Sequence, residues 1–134
     1  MTLTAGTEIP FIRLDPITQP QLRRYADASG DHNAIHLDEE VAKSMGLPGV
    51  IAHGMLSAGF LGERALRAVL DEAGRNDLHM TRLQTRFKSM VQLGDQISVG
   101  GVVKEATPER VVLDLSAKNQ KDEIVTVATA EFSL

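Results

Sequence analysis

Between Gly49 and Glu63 the chain reads VIAHGMLSAGFLG, and its only ionisable side chain there is His53. A segment this apolar has no face to give to water, so it must be covered by the rest of the chain. The pattern predicts one long helix from about His53 to Ala73, closed by Gly74. Gly54, Gly59 and Gly62 lie within it. Each glycine inside a helix costs about 1 kcal/mol relative to alanine, so their presence needs a reason. Close approach of other backbone supplies one: the helix is pressed onto a sheet that curves around it. Further along, Glu63 and Arg67 stand at i, i+4 in the favoured order of signs, so the second half reaches solvent.

The remaining segments can build that sheet. EIPFIRL (8–14) is apolar and β-prone, and Pro10 confines it to an edge or a short strand. Thr18 can cap a following helix that tolerates Pro20 in its first turn, buries Leu22, Tyr25 and Ala26 on one face, and stops at Gly30. Asp38 opens a second, short helix, EEVAKSM, which Gly46 closes. In MTRLQTRFKS (80–89) the period is two: Thr81, Leu83, Thr85 and Phe87 face one way, Arg82, Gln84, Arg86 and Lys88 the other. Turns at Gly94-Asp95, ATPE and Lys121-Asp122 separate three more strands, QISVGGVVKE, RVVLDLSAKN and EIVTVATAEFSL. The expected fold is α+β, a five-stranded antiparallel sheet curled around one long central helix, with its last four strands consecutive. Such a sheet keeps open edges, which invite a second copy: a homodimer, or a heterodimer with a related chain.

With 134 residues, the chain is expected to be one domain over residues 1–134. No cysteine is present, which removes disulfides, thiolate metal sites and thiol nucleophiles. A net charge of −4, four Phe, one Tyr and no Trp argue against nucleic acid as a partner. The N-terminal MTLTAGTEIP has neither the basic flank nor the apolar run of a signal peptide, so a cytoplasmic protein without membrane attachment is expected.

Chemistry is concentrated in SGDHNAIH (29–36), where two of the four histidines fall. His32 and His36 have H-x3-H spacing with Asp31 beside them, a possible metal set. Against it, Asn33 stands where a zincin carries Glu, and Gly30, Asp31 and Asn33 favour a loop over the helix that would align the imidazoles. Ser29 and Ser57 lack a nucleophile-elbow setting, and HGMLSAG lacks the Lys-Ser/Thr ending of a phosphate loop. A third possibility is an acid–base pair in which Asp31 and His36 turn towards one water molecule. From spacing alone the plainer alternative has the better claim: Asp31 caps the preceding turn and His36 is a hydrogen-bonded polar residue.

The stretch YADASGDHNAIHLDEEVA (25–42) resembles the hydratase motif of the MaoC-like dehydratases, the (R)-specific enoyl-thioester hydratases of the hotdog fold. Tyr25, Ser29, Gly30, Asp31, Asn33, Ile35, His36 and Ala42 match it. PGVIAHGM and RFKSMVQLGD resemble the family's approach to its central helix and its later strand and turn. Two departures stand out: Ala34 and Met90 occupy positions where the family usually has proline. The resemblance implies a hotdog domain that interconverts trans-2-enoyl and (R)-3-hydroxyacyl thioesters, with no cofactor and no metal. It implies Asp31 and His36 as the catalytic pair and the backbone N–H of Gly54, at the start of the buried helix, as the oxyanion donor. Ser29, Asn33 and His53 take supporting roles, while His32 and His79 face solvent. From the basic stripe Arg82, Arg86 and Lys88, the latter two are candidate contacts for the phosphates of coenzyme A or an acyl carrier protein. The alternatives are a hotdog thioesterase, against which the G-D-x-N-x-x-H pattern speaks, and an acyl-binding partner subunit of a heterodimeric dehydratase.

Overall fold

A computed structural model describes residues 1–134. Strand β1 (Glu8–Arg13) leads to helix α1 (Gln19–Ser29), a 3-10 turn over Ala34–His36, and the short helix α2 (Glu39–Ser44). The central helix α3 (Gly54–Leu66) continues into a π-helical segment, Arg67–Glu72, and then come β2 (His79–Phe87), β3 (Ser98–Ala106), β4 (Arg110–Lys118) and β5 (Ile124–Ser133). The five strands pair antiparallel in the order β1-β3-β4-β5-β2. This is the hotdog arrangement, with α3 contacting β2, β3, β4 and β5.

Caps account for the helix limits. The Thr18 hydroxyl accepts from Gln21 N–H at 3.3 Å, and Gly30 ends α1 in the left-handed region at φ 81°. Asp38 Oδ1 accepts from the N–H groups of Glu40 and Val41. Strand β1, which contains Pro10, is an edge strand, where a missing N–H does no harm. The last four strands follow one another along the chain as expected, but sequence neighbours are not all sheet neighbours. β2 does not pair with β3; the chain crosses over, and β2 lies on the far edge beside β5.

The reason for that placement is packing against the helix glycines. A Cβ on Gly54 would lie 3.2 Å from the Phe87 ring, and one on Gly62 would lie 3.2 Å from Leu83 Cδ2. Eight helix residues advance about 12 Å and four strand residues about 13 Å, so α3 and β2 meet twice in register, running in opposite directions. Gly59 departs from the expectation of close approach: it is exposed, and nothing lies within 4 Å of where its Cβ would be.

Charge pairing along α3 also differs from expectation. Glu63 and Arg67 are exposed and form no ion pair, as suits groups that gain little from pairing in water. Arg64 instead is buried, donating to Glu72 at 2.6 Å and to the Pro10 carbonyl at 2.9 Å and 3.2 Å. A buried guanidinium requires such partners, and the pair ties the π-helical segment and β1 to the central helix. The apolar core fills the space between helix and sheet, with Leu61, Ala65, Val69, Val103, Leu113 and Phe132 among its members.

Candidate active site

The loop between α1 and α2 is shaped by its own polar side chains. Ser29 Oγ accepts from Asp31 N–H, Asp31 Oδ1 from Asn33 N–H, and Asn33 Oδ1 from Ile35 N–H, each at 3.2 Å. Each of these bonds spans two residues, the geometry in which Ser, Asp and Asn replace a backbone turn. The run S-G-D-x-N therefore dictates a tight loop without help from a proline at position 34, and it delivers His36 on the 3-10 turn that Asn33 caps.

His36 is buried, and its Nδ1 lies 2.7 Å from the Ile51 carbonyl. A carbonyl only accepts, so Nδ1 carries the hydrogen and a neutral ring bears its lone pair on Nε2. That lone pair faces Asp31 Oδ2 at 3.8 Å, and the Asp31 carboxylate is half-exposed. Two acceptors thus confront each other across a gap too long for a direct hydrogen bond. A water molecule, with two hydrogens to donate, satisfies both.

Behind them stands His53, almost fully enclosed at the start of α3. Its Nε2–H donates to the Asp31 carbonyl at 3.0 Å, its ring stacks on His36 at 3.9 Å, and the Tyr25 ring lies tilted against it at 4.7 Å. Burial holds its pKa below the ordinary 6.5; the Asp31 carbonyl pulls upward, and the nearby His36 ring pushes down again. His53 is therefore a neutral imidazole that fixes the backbone of Asp31. Its Nδ1 is the one enclosed side-chain polar atom without a partner.

Gly54 opens α3, and no backbone or side-chain acceptor takes its N–H. Two adjoining clefts share His53, Gly54 and Phe87. One, of about 380 Å³, is lined by Tyr25, Ser29 and Asp31. The other, of about 330 Å³, is lined by His36, Ser57, Lys88 and Thr126. An apolar-edged hollow thus runs past a carboxylate, an imidazole and a free helix N-terminal N–H. That is a set able to activate water and to stabilise negative charge on a carbonyl oxygen.

Not every residue singled out in the sequence arrives here. Lys88 borders the His36 cleft, but Arg86 lies on the opposite face of the sheet, in the groove of about 640 Å³ that is the largest on the surface. That groove contains none of Asp31, His36 or Gly54. Strand β2 ends at Phe87, so Lys88 lies beyond it and no longer follows the alternation that would keep it on the face of Arg86. His32 turns away to Asp27 at 3.1 Å, and His79 is exposed.

The candidate metal ligands accordingly differ from the H-x3-H pair. Asp31, His36 and His53 offer ligand atoms within 4.8 Å of one another. The donor set fits a metal poorly, because His53 Nε2 is occupied by its bond to the Asp31 carbonyl and Nδ1 is enclosed. The Ile51 carbonyl, the stack of His53 on His36, Phe87 over Gly54, and Thr126 gave no sequence signal, since each depends on tertiary contact.

Residues 2–128 match the family described as the MaoC like domain. The (R)-specific enoyl-CoA hydratase of Rhodospirillum rubrum is 31% identical over 70% of this chain and 62% of its own length. The probable enoyl-CoA hydratase alpha subunit of Thermomonospora curvata is 29% identical over 72% of this chain, and the aligned part spans only 35% of that protein. Among solved structures, the R-hydratase PhaJ1 from Pseudomonas aeruginosa in its unliganded form superimposes with a TM-score of 0.83 at 29% identity. That match covers 98% of this chain and 81% of the other.

Proposed function

The chain belongs to the MaoC-like domain family, and on that premise we propose that it adds water to trans-2-enoyl thioesters to give (R)-3-hydroxyacyl thioesters, and catalyses the reverse dehydration. The observation that carries this reading is the 3.8 Å gap between His36 Nε2 and Asp31 Oδ2, with the His36 tautomer fixed by the Ile51 carbonyl. Water held in that gap bonds through its oxygen to C3 of the enoyl chain while Asp31 takes one of its protons. The π electrons move onto the thioester oxygen, where the Gly54 N–H meets the developing charge. C2 then receives a proton from the Asp31–His36 side, the same face that the oxygen attacked, and both residues return to their starting state. No electrons enter or leave, so the reaction as written needs no redox cofactor.

Ser29 and Asn33 hold the loop in this scheme, and His53 supports it from behind. Lys88, at the rim of the His36 cleft, is the basic residue suited to the phosphates of a coenzyme A or acyl-carrier thioester; Arg86 faces away. Residues 1–134 make one hotdog domain. No helix is long and apolar enough to cross a membrane, and the cytoplasm, where such thioesters are made, is its proposed place. The edge strand β2 exposes Leu83 and Phe87, with Met55 and Met90 nearby; a second copy seated on this edge is the proposed partner.

The test is the loss of enoyl absorbance on mixing purified protein with trans-2-enoyl-CoA in EDTA, beside Asp31→Asn and His36→Ala. Hydration that survives EDTA and falls about 100- to 10,000-fold in each variant is expected. Release of free thiol without hydration would replace this reading with a thioesterase. Activity that emerges only when a related hotdog chain is added would replace the second copy with a heterodimer.

A further inference from the structure

The His36 cleft has a polar floor that the hydration step does not use. Ser57, on the first turn of α3, and Thr126, on β5 beside Phe87, are both buried and both line this cleft. Neither hydroxyl makes a hydrogen bond with the protein. His53 Nδ1 is the only fully enclosed side-chain polar atom lacking a partner, so the two hydroxyl oxygens keep a face open to the cleft.

Their position along the helix matters. Ser57 lies three residues beyond Gly54, a rise of about 4.5 Å along α3. With a thioester oxygen on the Gly54 N–H and the double bond beside the Asp31–His36 gap, Ser57 and Thr126 meet the acyl chain beyond the reacting carbons, at about its fourth to sixth carbon. An alkyl chain entering there strips water from both hydroxyls and returns no hydrogen bond. An oxygen on the chain takes over those bonds.

We propose that Ser57 and Thr126 select the acyl group, so that this cleft favours trans-2-enoyl thioesters carrying a hydroxyl or carbonyl oxygen beyond the double bond over the plain alkyl chain of equal length. The inference rests on the hydratase reading above and adds its substrate class. Sites that leave a buried hydroxyl unpaired discriminate by about tenfold or more for each group.

The experiment compares kcat/KM for trans-2-hexenoyl-CoA and its 5-hydroxy derivative in the wild type, Ser57→Ala, Thr126→Val, the double variant and Thr126→Ser. The expected result is a wild-type preference of about 10- to 100-fold for the hydroxylated chain. Each single deletion reduces it, the double variant abolishes it, and Thr126→Ser retains it. Equal kcat/KM for the two substrates in the wild type overturns the inference and leaves the hydratase reading standing, as does an unchanged ratio in a double variant that melts like the wild type. If the variants do not fold, the wild-type ratio decides alone. Turnover of neither substrate overturns the hydratase reading, and this inference with it.

Discussion

The imidazole of His53 lies on that of His36 with 3.9 Å between ring centres and 25° between planes. Two stacked imidazoles resist a second charge, and burial already keeps His53 below its ordinary pKa. Asp31 opposes that effect from the loop side, while His32 and His36 reinforce it. The N-terminal end of α3, where His53 sits, is equally unsuited to a cation.

Stability should therefore depend on pH through His53. Below pH 6.5 the unfolded chain takes up a proton that the folded ring refuses, so stability falls as pH drops through that value. It stops falling once pH is below the folded pKa. We expect the melting temperature to decline between pH 7.5 and 5.5, and His53→Gln, which keeps an N–H donor but does not titrate, to show a shallower decline. Parallel slopes for the two proteins would show that His53 does not carry the dependence.

Asn33→Ala removes the acceptor for Ile35 N–H at the start of the 3-10 turn that bears His36. The loop is exposed, so the stability loss should be about 1 kcal/mol or less. Activity should fall further than stability, because misplacing His36 widens or tilts its gap to Asp31. Thermal melts and hydration rates on the same preparation separate the two effects.

The three helix glycines should respond differently to alanine. At Gly59, with open space around the missing Cβ, the substitution should raise stability by about 0.5–1 kcal/mol. At Gly54 and Gly62 the new methyl meets Phe87 or Leu83 at 3.2 Å and forces an adjustment. Gly54→Ala should in addition lower kcat by crowding the carbonyl site, whereas Gly62→Ala should be felt in denaturant melts alone. Equal kinetic effects at 54 and 62 would remove the special standing of Gly54.

Arg64 and Glu72 give a fourth test. Arg64→Ala strands a carboxylate and leaves the Pro10 carbonyl without its donors, a loss of about 3–5 kcal/mol. Replacing both residues with apolar ones of similar volume should recover much of that loss. Urea melts of the single and double variants measure the difference.

Much of this architecture is legible in the chain. Threonine, aspartate and glycine set the turns and caps at Thr18, Gly30, Asp38 and Gly94, and they act locally, so their signals survive in sequence. Asp31 and His36 are visible for the same reason: one loop carries both. Strand order is less accessible, because the pairing of β2 with β5 follows from how Leu83 and Phe87 meet Gly62 and Gly54. Arg64 escapes notice because its partners are a carbonyl 54 positions away and a carboxylate brought near by the π-helical segment. Arg86 and Lys88 read as one basic stripe until the end of β2 assigns them to different surroundings.

Strand β2 is both one edge of the sheet and, through Phe87, the cover over Gly54. Whatever binds along that edge rests on the same side chain that covers Gly54, the proposed carbonyl site. On the proposed function, selection for assembly and selection for substrate would act on one short strand, and a drift in either would be constrained by the other.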